Sequence, residues 1–265
     1  MTPTTVQAPS RHASDFYKRV IHVFQQRDID FLVGGAYAFV HYTGIGRETK
    51  DLDLFVRRCD WNRVTDALAE EGITTDLTFP HWLGKAFGGR QREFFVDVIF
   101  SGGNGVAEVD DEWFSNAPWD ESLGFPVRLM PIEEMLWSKA FLMERERFDG
   151  ADVLHLIRAR QKDINWPRLL SRFGEHWRVL LAHLVLFPYV YPNDPAPTDV
   201  IDELLDRART ETKPTDGVRV CRGTLLSRGQ YLVDVDNWNY IDARQVPLGT
   251  MTPEEIADWT KAIDK

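Results

Sequence analysis

Asp51 and Asp53, separated by a single leucine, and Asp97, alone among Phe94, Phe95, Val96, Val98 and Ile99, have the types and spacing to do chemistry. In an extended segment side chains alternate faces. Asp51-Leu52-Asp53-Leu54 therefore turns both acids one way and both leucines into a core. Two residues of strand rise set the acids roughly 7 Å apart, within reach of divalent ions held about 3.5–4 Å from each other. Like charges on one face repel unless a cation lies between them. A carboxylate buried among phenylalanines and valines is costly unless paired. Magnesium, which takes carboxylates together with phosphate oxygens, suits Asp51 and Asp53; Asp97 would complete the site and act as base toward an incoming hydroxyl.

The elements that must position these residues can be read from the pattern. The apolar run Phe31-Leu32-Val33 stops at Gly34-Gly35, and Ala36, Phe39 and Val40 then follow helical spacing. Glycines there let the backbone approach a ligand closely. The helix N-terminus offers unpaired N–H groups and a positive dipole end to phosphate. Ahead of this lie a lead-in over residues 1–13 and a helix from a Ser14 cap to about Arg27, striped by Phe16, Val20, Ile21 and Phe24. Asp60 is expected to cap a helix carrying Val64, Ala67 and Leu68. Strands are expected at Ile73–Phe79, Arg92–Phe100 and Phe125–Met130, with a glycine-containing hairpin or loop over His81–Arg90, a loop at Ser101–Gly105 and a short helix at Asp110–Asn116. From Pro131 the spacing turns helical: Ile132 to Met143, then Gly150–Arg160, Trp166–Phe173, Glu175–Phe187 and Thr198–Thr210. A turn is expected at Lys213–Gly217, and the aromatics of Tyr231–Tyr240 are expected to pack back on the body. Taken singly, Gly34-Gly35 is an ordinary strand-to-helix turn and Asp51 with Asp53 an exposed strand face. The three parts in order, with Asp97 among apolar residues, favour a site.

Composition narrows the class. The 265 residues, 43% hydrophobic and 27% charged, describe a globular chain able to bury a sizeable core. A formal charge of −10 argues against coating nucleic acid, though not against gripping one RNA end through a local basic strip. Two cysteines, Cys59 and Cys221, are too few for a zinc site or disulfide framework. The polar N-terminus lacks an apolar signal core. The longest apolar run, Val179 to Tyr191, is broken by His183 and Pro188 and is too short to span a bilayer. These features predict a cytoplasmic protein with no membrane partner.

The motifs Val33-Gly34-Gly35, Asp51-Leu52-Asp53 and Val96-Asp97-Val98 resemble, in order, those of the nucleotidyltransferase superfamily related to polymerase beta. With Arg47-Glu48-Thr49-Lys50 leading into the acids, the chain looks closest to the AbiEii-type branch of abortive-infection and toxin–antitoxin proteins. Lys139 in a downstream helix and Asp152 after Arg147-Phe148-Asp149 look similar to further positions of that branch. The resemblance covers about residues 30–160. It implies an α/β (α+β) fold, a nucleotidyltransferase-type mixed sheet with flanking helices followed by a helical C-terminal half. The domains are then 1–130, 131–211 and a tail, 212–265, that packs back on the body. It further implies two Mg2+ ions on Asp51, Asp53 and Asp97, and an NTP held by Gly34, Gly35, Arg47, Thr49, Lys139 and Asp152. The activity implied is transfer of an NMP to an acceptor hydroxyl. That acceptor is the end of an RNA such as tRNA, a protein or a small molecule, and an antitoxin-like protein is an implied partner. The competing reading is a non-catalytic nucleotide-binding or interaction module that kept the fold.

Overall fold

The computed structural model of the chain describes residues 10–49, 51–121, 124–211 and 217–262. Most of the expected lead-in, Lys50, and all but the last residue of the expected Lys213–Gly217 turn lie outside them. The chain divides into two compact units, Met1–Pro131 and Ile132–Lys265.

The first unit is a mixed sheet with flanking helices. α1 (Arg11–Gln26) starts earlier than Ser14, because the Ser10 hydroxyl accepts from the Ala13 N–H at 3.2 Å while Ser14 already donates to the Ser10 carbonyl. Its stripe of Phe16, Tyr17, Val20, Ile21 and Phe24 is buried as the spacing requires. β1 (Leu32–Val33) turns through Gly34 into α2 (Gly35–Thr43), and β2 (Leu52–Phe55) carries Asp53. A 3-10 turn at Arg58–Asp60 leads into α3 (Trp61–Glu70), so Asp60 precedes the helix without a side-chain cap bond. Then come β3 (Thr74–Phe79), β4 (Leu83–Gly88) and β5 (Phe94–Ile99). The strand order is β1-β2-β5-β4-β3, with β2 and β5 parallel and the other pairs antiparallel.

β4 is where sequence reading and structure part. His81–Arg90 reads as a hairpin or loop because Gly84 and Gly88 are poor strand formers, yet this segment is hydrogen-bonded on both sides. The glycines make room instead. A Cβ at Gly84 would overlap the Trp61 ring of α3, and one at Gly88 would meet the Phe16 ring of α1 at 2.7 Å. Two helices thus lay aromatic rings on the backbone of one strand. Leu52, Leu54, Ala86, Val96 and Val98, all fully buried, line one face of the sheet. Each large side chain among them contributes about 1.5–3 kcal/mol by burial. The opposite face carries the acids. α4 (Asp111–Ser115) is capped by Asp110, whose carboxylate accepts from Glu112 N–H at 2.9 Å. β6 (Trp119–Asp120) and β7 (Val127–Arg128) pair, and Met130 N–H donates to the Val33 carbonyl at 2.9 Å.

The second unit packs α5 (Ile132–Ala140), α6 (Gly150–Arg160), α7 (Trp166–Phe173), α8 (Trp177–Val190) and α9 (Thr198–Thr210). The helix expected to continue to Met143 stops at Ala140, where Met143 bridges to Phe148 and Asp149 N–H donates to the Leu142 carbonyl. Glu134, fully buried, is held by Arg168 and, at 3.0 Å, by Arg172, an ion cluster that ties α5 to α7. Burial pushes the Glu134 carboxyl up despite both arginines. The chain ends with β8 (Val220–Cys221), α10 (Leu232–Trp238), β9 (Ile241–Asp242) and α11 (Pro253–Lys261), the last opened by a Thr252–Glu255 capping box. Glu144 fastens this stretch, accepting from Ser227 Oγ at 2.6 Å and Arg228 N–H at 3.0 Å. Of the aromatics in 231–240, Tyr231 lies against Gly223 and Tyr240 under Arg219, while Trp238 is exposed. Among the described residues no helix is long and apolar enough to cross a membrane.

Candidate functional site

Asp53 and Asp97 are direct register partners on the parallel strands β2 and β5. Partners on neighbouring strands lie roughly 5 Å apart with side chains on the same face, so the two carboxylates rise side by side. Asp51 lies in the bend just before β2, two residues from Asp53. The Thr49 hydroxyl sits 2.9 Å from Asp51 Oδ1 and 2.8 Å from its carbonyl, and fixes that bend by donating its proton there.

The glycine pair is dictated by close approach. Gly34 N–H donates to the Asp53 carbonyl at 3.0 Å, which docks the start of α2 onto β2. A Cβ at Gly34 would overlap the Phe55 ring. One at Gly35, whose φ is +53°, would overlap the Asp53 carboxylate itself. The helix N-terminus is thereby pressed against an acid side chain, with its first N–H groups beside the charge row.

On the other side of Asp97 the structure adds a residue that sequence reading missed. Lys85 of β4 is the register partner of Asp97, and its Nζ donates to Asp97 Oδ1 at 2.6 Å. Across the sheet the register reads Asp53, Asp97, Lys85, Asp76. Burial pushes the Asp97 carboxyl up, against the pull of Lys85 and with Asp51 adding to the rise. The charge of the acids reaches two buried phenols as well. Burial is the main cause that raises the Tyr17 hydroxyl, followed by Tyr37, Asp51, Asp53 and Asp97; burial and then Asp51 raise that of Tyr37. The signal for Lys85 was available only with β4 recognised as a strand, since a register partner has no mark in sequence spacing.

The remaining expected residues have their own settings. The Arg47 guanidinium lies 4.0 Å from the centroid of the Phe39 ring. Lys139 and Asp152 belong to the second unit, where Lys139 Nζ lies 2.8 Å from both Asp149 and Asp152. Burial alone would raise the Asp149 carboxyl, but Arg147 and Lys139 together hold it below the usual carboxylate range. In the first unit, then, Gly34, Gly35, Thr49, Asp51, Asp53 and Asp97 form one neighbourhood; in the second, Lys139 and Asp152 form an ion pair.

Divalent magnesium suits this donor set. Carboxylates are the hard oxygen donors magnesium takes, and Lys85 already meets part of the charge at Asp97. Among the described residues no three His, Cys, Asp or Glu side chains are drawn in around one cation-sized point. Asp97 is engaged by Lys85 and Asp51 by Thr49, so loading requires those bonds to yield.

No protein-family model matches the chain, and no curated protein does. Solved structures do. The antibiotic-resistance factor ANT(2'')-Ia is 15% identical over 64% of this chain and 95% of its own, with a TM-score of 0.43. An antigenic nucleotidyltransferase-like protein from Paracoccidioides brasiliensis is 16% identical over 73% of this chain and 93% of its own, with a TM-score of 0.47. Terminal uridylyl transferase 4 from Trypanosoma brucei, with bound GTP, is 12% identical over 98% of this chain and 91% of its own, with a TM-score of 0.33. These neighbours are nucleotidyltransferases or nucleotidyltransferase-like by name. At such identities and TM-scores, the chemistry has to be read from the site's own residues.

Proposed function

We propose that the chain is a metal-dependent nucleotidyltransferase that moves an NMP from an NTP to an acceptor hydroxyl. The observation that carries this reading is the in-register pairing of Asp53 with Asp97 on parallel strands. Asp51 stands beside them, and a glycine-opened helix N-terminus is packed against Asp53. Gly34, whose own N–H is held by the Asp53 carbonyl, and Gly35 let phosphate oxygens of the NTP approach the opening turn of α2, where the helix dipole favours negative charge. Asp97 takes the proton of the acceptor hydroxyl. The acceptor oxygen bonds to the α-phosphorus, the α–β phosphoanhydride bond breaks, and pyrophosphate leaves. Asp51, Asp53 and Asp97 would hold two Mg2+ ions, which when bound offset the charge that builds on the phosphates. On the same reading Arg47 and Thr49 contribute to the nucleotide site. Residues 1–130 form the transferase domain, followed by a helical domain over 131–211 and the tail over 212–265. The Arg47–Asp53 string favours the AbiEii-type branch, and with it an antitoxin-like partner.

The test is label transfer from radiolabelled NTPs, with magnesium and a panel of RNA, protein and small-molecule acceptors, comparing wild type with Asp53→Ala and Asp51→Ala. The reading requires transfer by the wild type and its loss in both variants. Transfer that survives either substitution rules the assignment out. One observation favours the second reading, a non-catalytic nucleotide-binding module: Lys85 already neutralises part of the site. Calorimetry separates the two, since NTP binding with no turnover on any acceptor supports the module.

A further inference from the structure

An amphipathic helix packed on a globular body turns polar side chains outward, and α9 does so. Its Asp199, Asp202, Glu203 and Asp206 are exposed, while Val200 and Leu204 are buried. Its neighbour α8 differs. Trp177, Leu180, His183, Leu184 and Phe187 are buried, yet the outward side chains Ala182, Val185, Leu186, Tyr189 and Val190 are aliphatic or aromatic as well. From Val179 to Asn193 the sequence holds no Asp, Glu, Lys or Arg. Tyr189 is 84% exposed, more than any other large hydrophobic side chain among the described residues. The Phe148 ring, also exposed, stacks on His183 at 6.2 Å between centroids and widens the apolar surface of α8. Along this segment charges stand only at the ends: Arg178 pairs with Glu211 at one, Asp194 with Arg158 at the other. A helix apolar all round is one that something covers.

We propose that this strip is a two-fold interface between two copies of the chain, their α8 helices antiparallel. The proposal stands whether or not the chain transfers nucleotides. Steps of three and four residues hold Arg178, Ala182, Val185, Leu186 and Tyr189 on one face of the helix. With the two-fold axis between Val185 and Leu186, Ala182 faces Tyr189 of the second copy. The smallest side chain of the strip thus opposes the largest, as a hole meets a knob. Arg178 then faces Asn193 of the second copy, one residue from Asp194, so a cationic end meets a polar end that carries an acid. No charge is trapped between. An isologous contact requires such self-complementarity, and two-fold dimers are the commonest assemblies. A lipid surface fits worse: α8 lacks the basic rim of a membrane-lying helix, and the exposed acids of α9 beside it repel anionic headgroups. One helix face falls short of the roughly 800 Å² per partner of a standard interface, so the dimer is expected to dissociate readily.

Sedimentation velocity of the full chain over a concentration series tests this. The wild type is expected to pass from monomer to dimer with a dissociation constant on the order of 10 μM. Val185→Glu, which sets a carboxylate beside the axis, is expected to stay monomeric throughout. Ala182→Tyr opposes tyrosine to tyrosine and Tyr189→Ala opposes alanine to alanine, and each should weaken association about tenfold. The double variant Ala182→Tyr/Tyr189→Ala exchanges the pair across the axis and should recover wild-type association to within about threefold. Each substituted side chain is exposed, so thermal midpoints at the lowest concentration should match the wild type's. A wild type that is monomeric at every concentration overturns the proposal, and its flotation with phosphatidylcholine vesicles would then give the face to lipid. A dimer that Val185→Glu leaves intact overturns it too, by placing the contact elsewhere. Single variants that weaken association, with a double variant that fails to recover it, overturn the antiparallel register.

Discussion

At the scale of single residues, the site is a contest between charges that repel and the groups that hold them. Gly35 is the position with least freedom. With φ at +53° and the Asp53 carboxylate where a Cβ would be, Gly35→Ala must shift either the helix or the acid. It is expected to cost about 1–3 kcal/mol in urea denaturation and to abolish transfer. Lys85→Met strips the Asp97 carboxylate of its ammonium partner and should destabilise by about 1–3 kcal/mol. Because the penalty comes from an acid left unpaired, the double variant Lys85→Met/Asp97→Asn should lose less than the two single changes summed. An additive result would show that Lys85 acts elsewhere. Magnesium should raise the thermal midpoint of the wild type by mass action, and leave that of Asp53→Asn nearly unmoved.

At the scale of elements, β4 decides the architecture of the site. Its pairing to β5 sets Lys85 beside Asp97 and Phe87 beside Phe95 on one face, while Gly84 and Gly88 on the other admit Trp61 and Phe16. Gly84→Val would push a branched side chain into the Trp61 ring. It is expected to cost about 1–3 kcal/mol by overpacking, read as a lowered urea midpoint. Displacing the strand would also carry Lys85 off register. A control at Gly72, where nothing lies within reach of an added Cβ, tests strain from φ +70° alone. The helices α6, α7 and α9 of the second unit begin and end where the sequence pattern places them, and α7 is opened by Asn165, whose side chain accepts from the Arg168 N–H.

At the scale of the whole molecule, stability at low pH is carried by carboxylates held with arginine. Burial alone would raise the Asp242 carboxyl. The side-chain and backbone bonds from Arg244 more than reverse this and hold it below its ordinary 3.8. Arg244 is itself fully buried, with Nη2 2.6 Å from Asp242 Oδ2. A depressed carboxylate contributes stability above the unfolded value, and loses it as pH falls from about 4 through the folded value. Thermal midpoints followed by circular dichroism should therefore drop as pH falls from 5 to 3. Asp242→Asn should lower the midpoint at pH 7, because it leaves a buried arginine unpaired at a cost of about 3–5 kcal/mol, and should flatten the acid limb. An acid limb as steep as the wild type's would assign the loss to other groups, Asp149 among them.

Local sequence determined a good deal. The 3.6-residue stripes specified the helices, because each apolar face must be buried whatever it meets. The alternation Leu52-Asp53-Leu54 and the apolar setting of Asp97 specified which residues would share a face within a strand, while Asp51 falls in the bend before it. Tertiary structure alone decided how strands stand next to one another. That Asp53 meets Asp97, that Asp97 meets Lys85, and that Gly35 closes on Asp53 are matters of register, and a one-residue slip would turn every one of these side chains to the other face. Sequence spacing within a strand fixes what points together, but pairing between strands distant in the chain is fixed by packing. That is why β4, with its two glycines answering to Trp61 and Phe16, carried Lys85 into the site without a signal of its own.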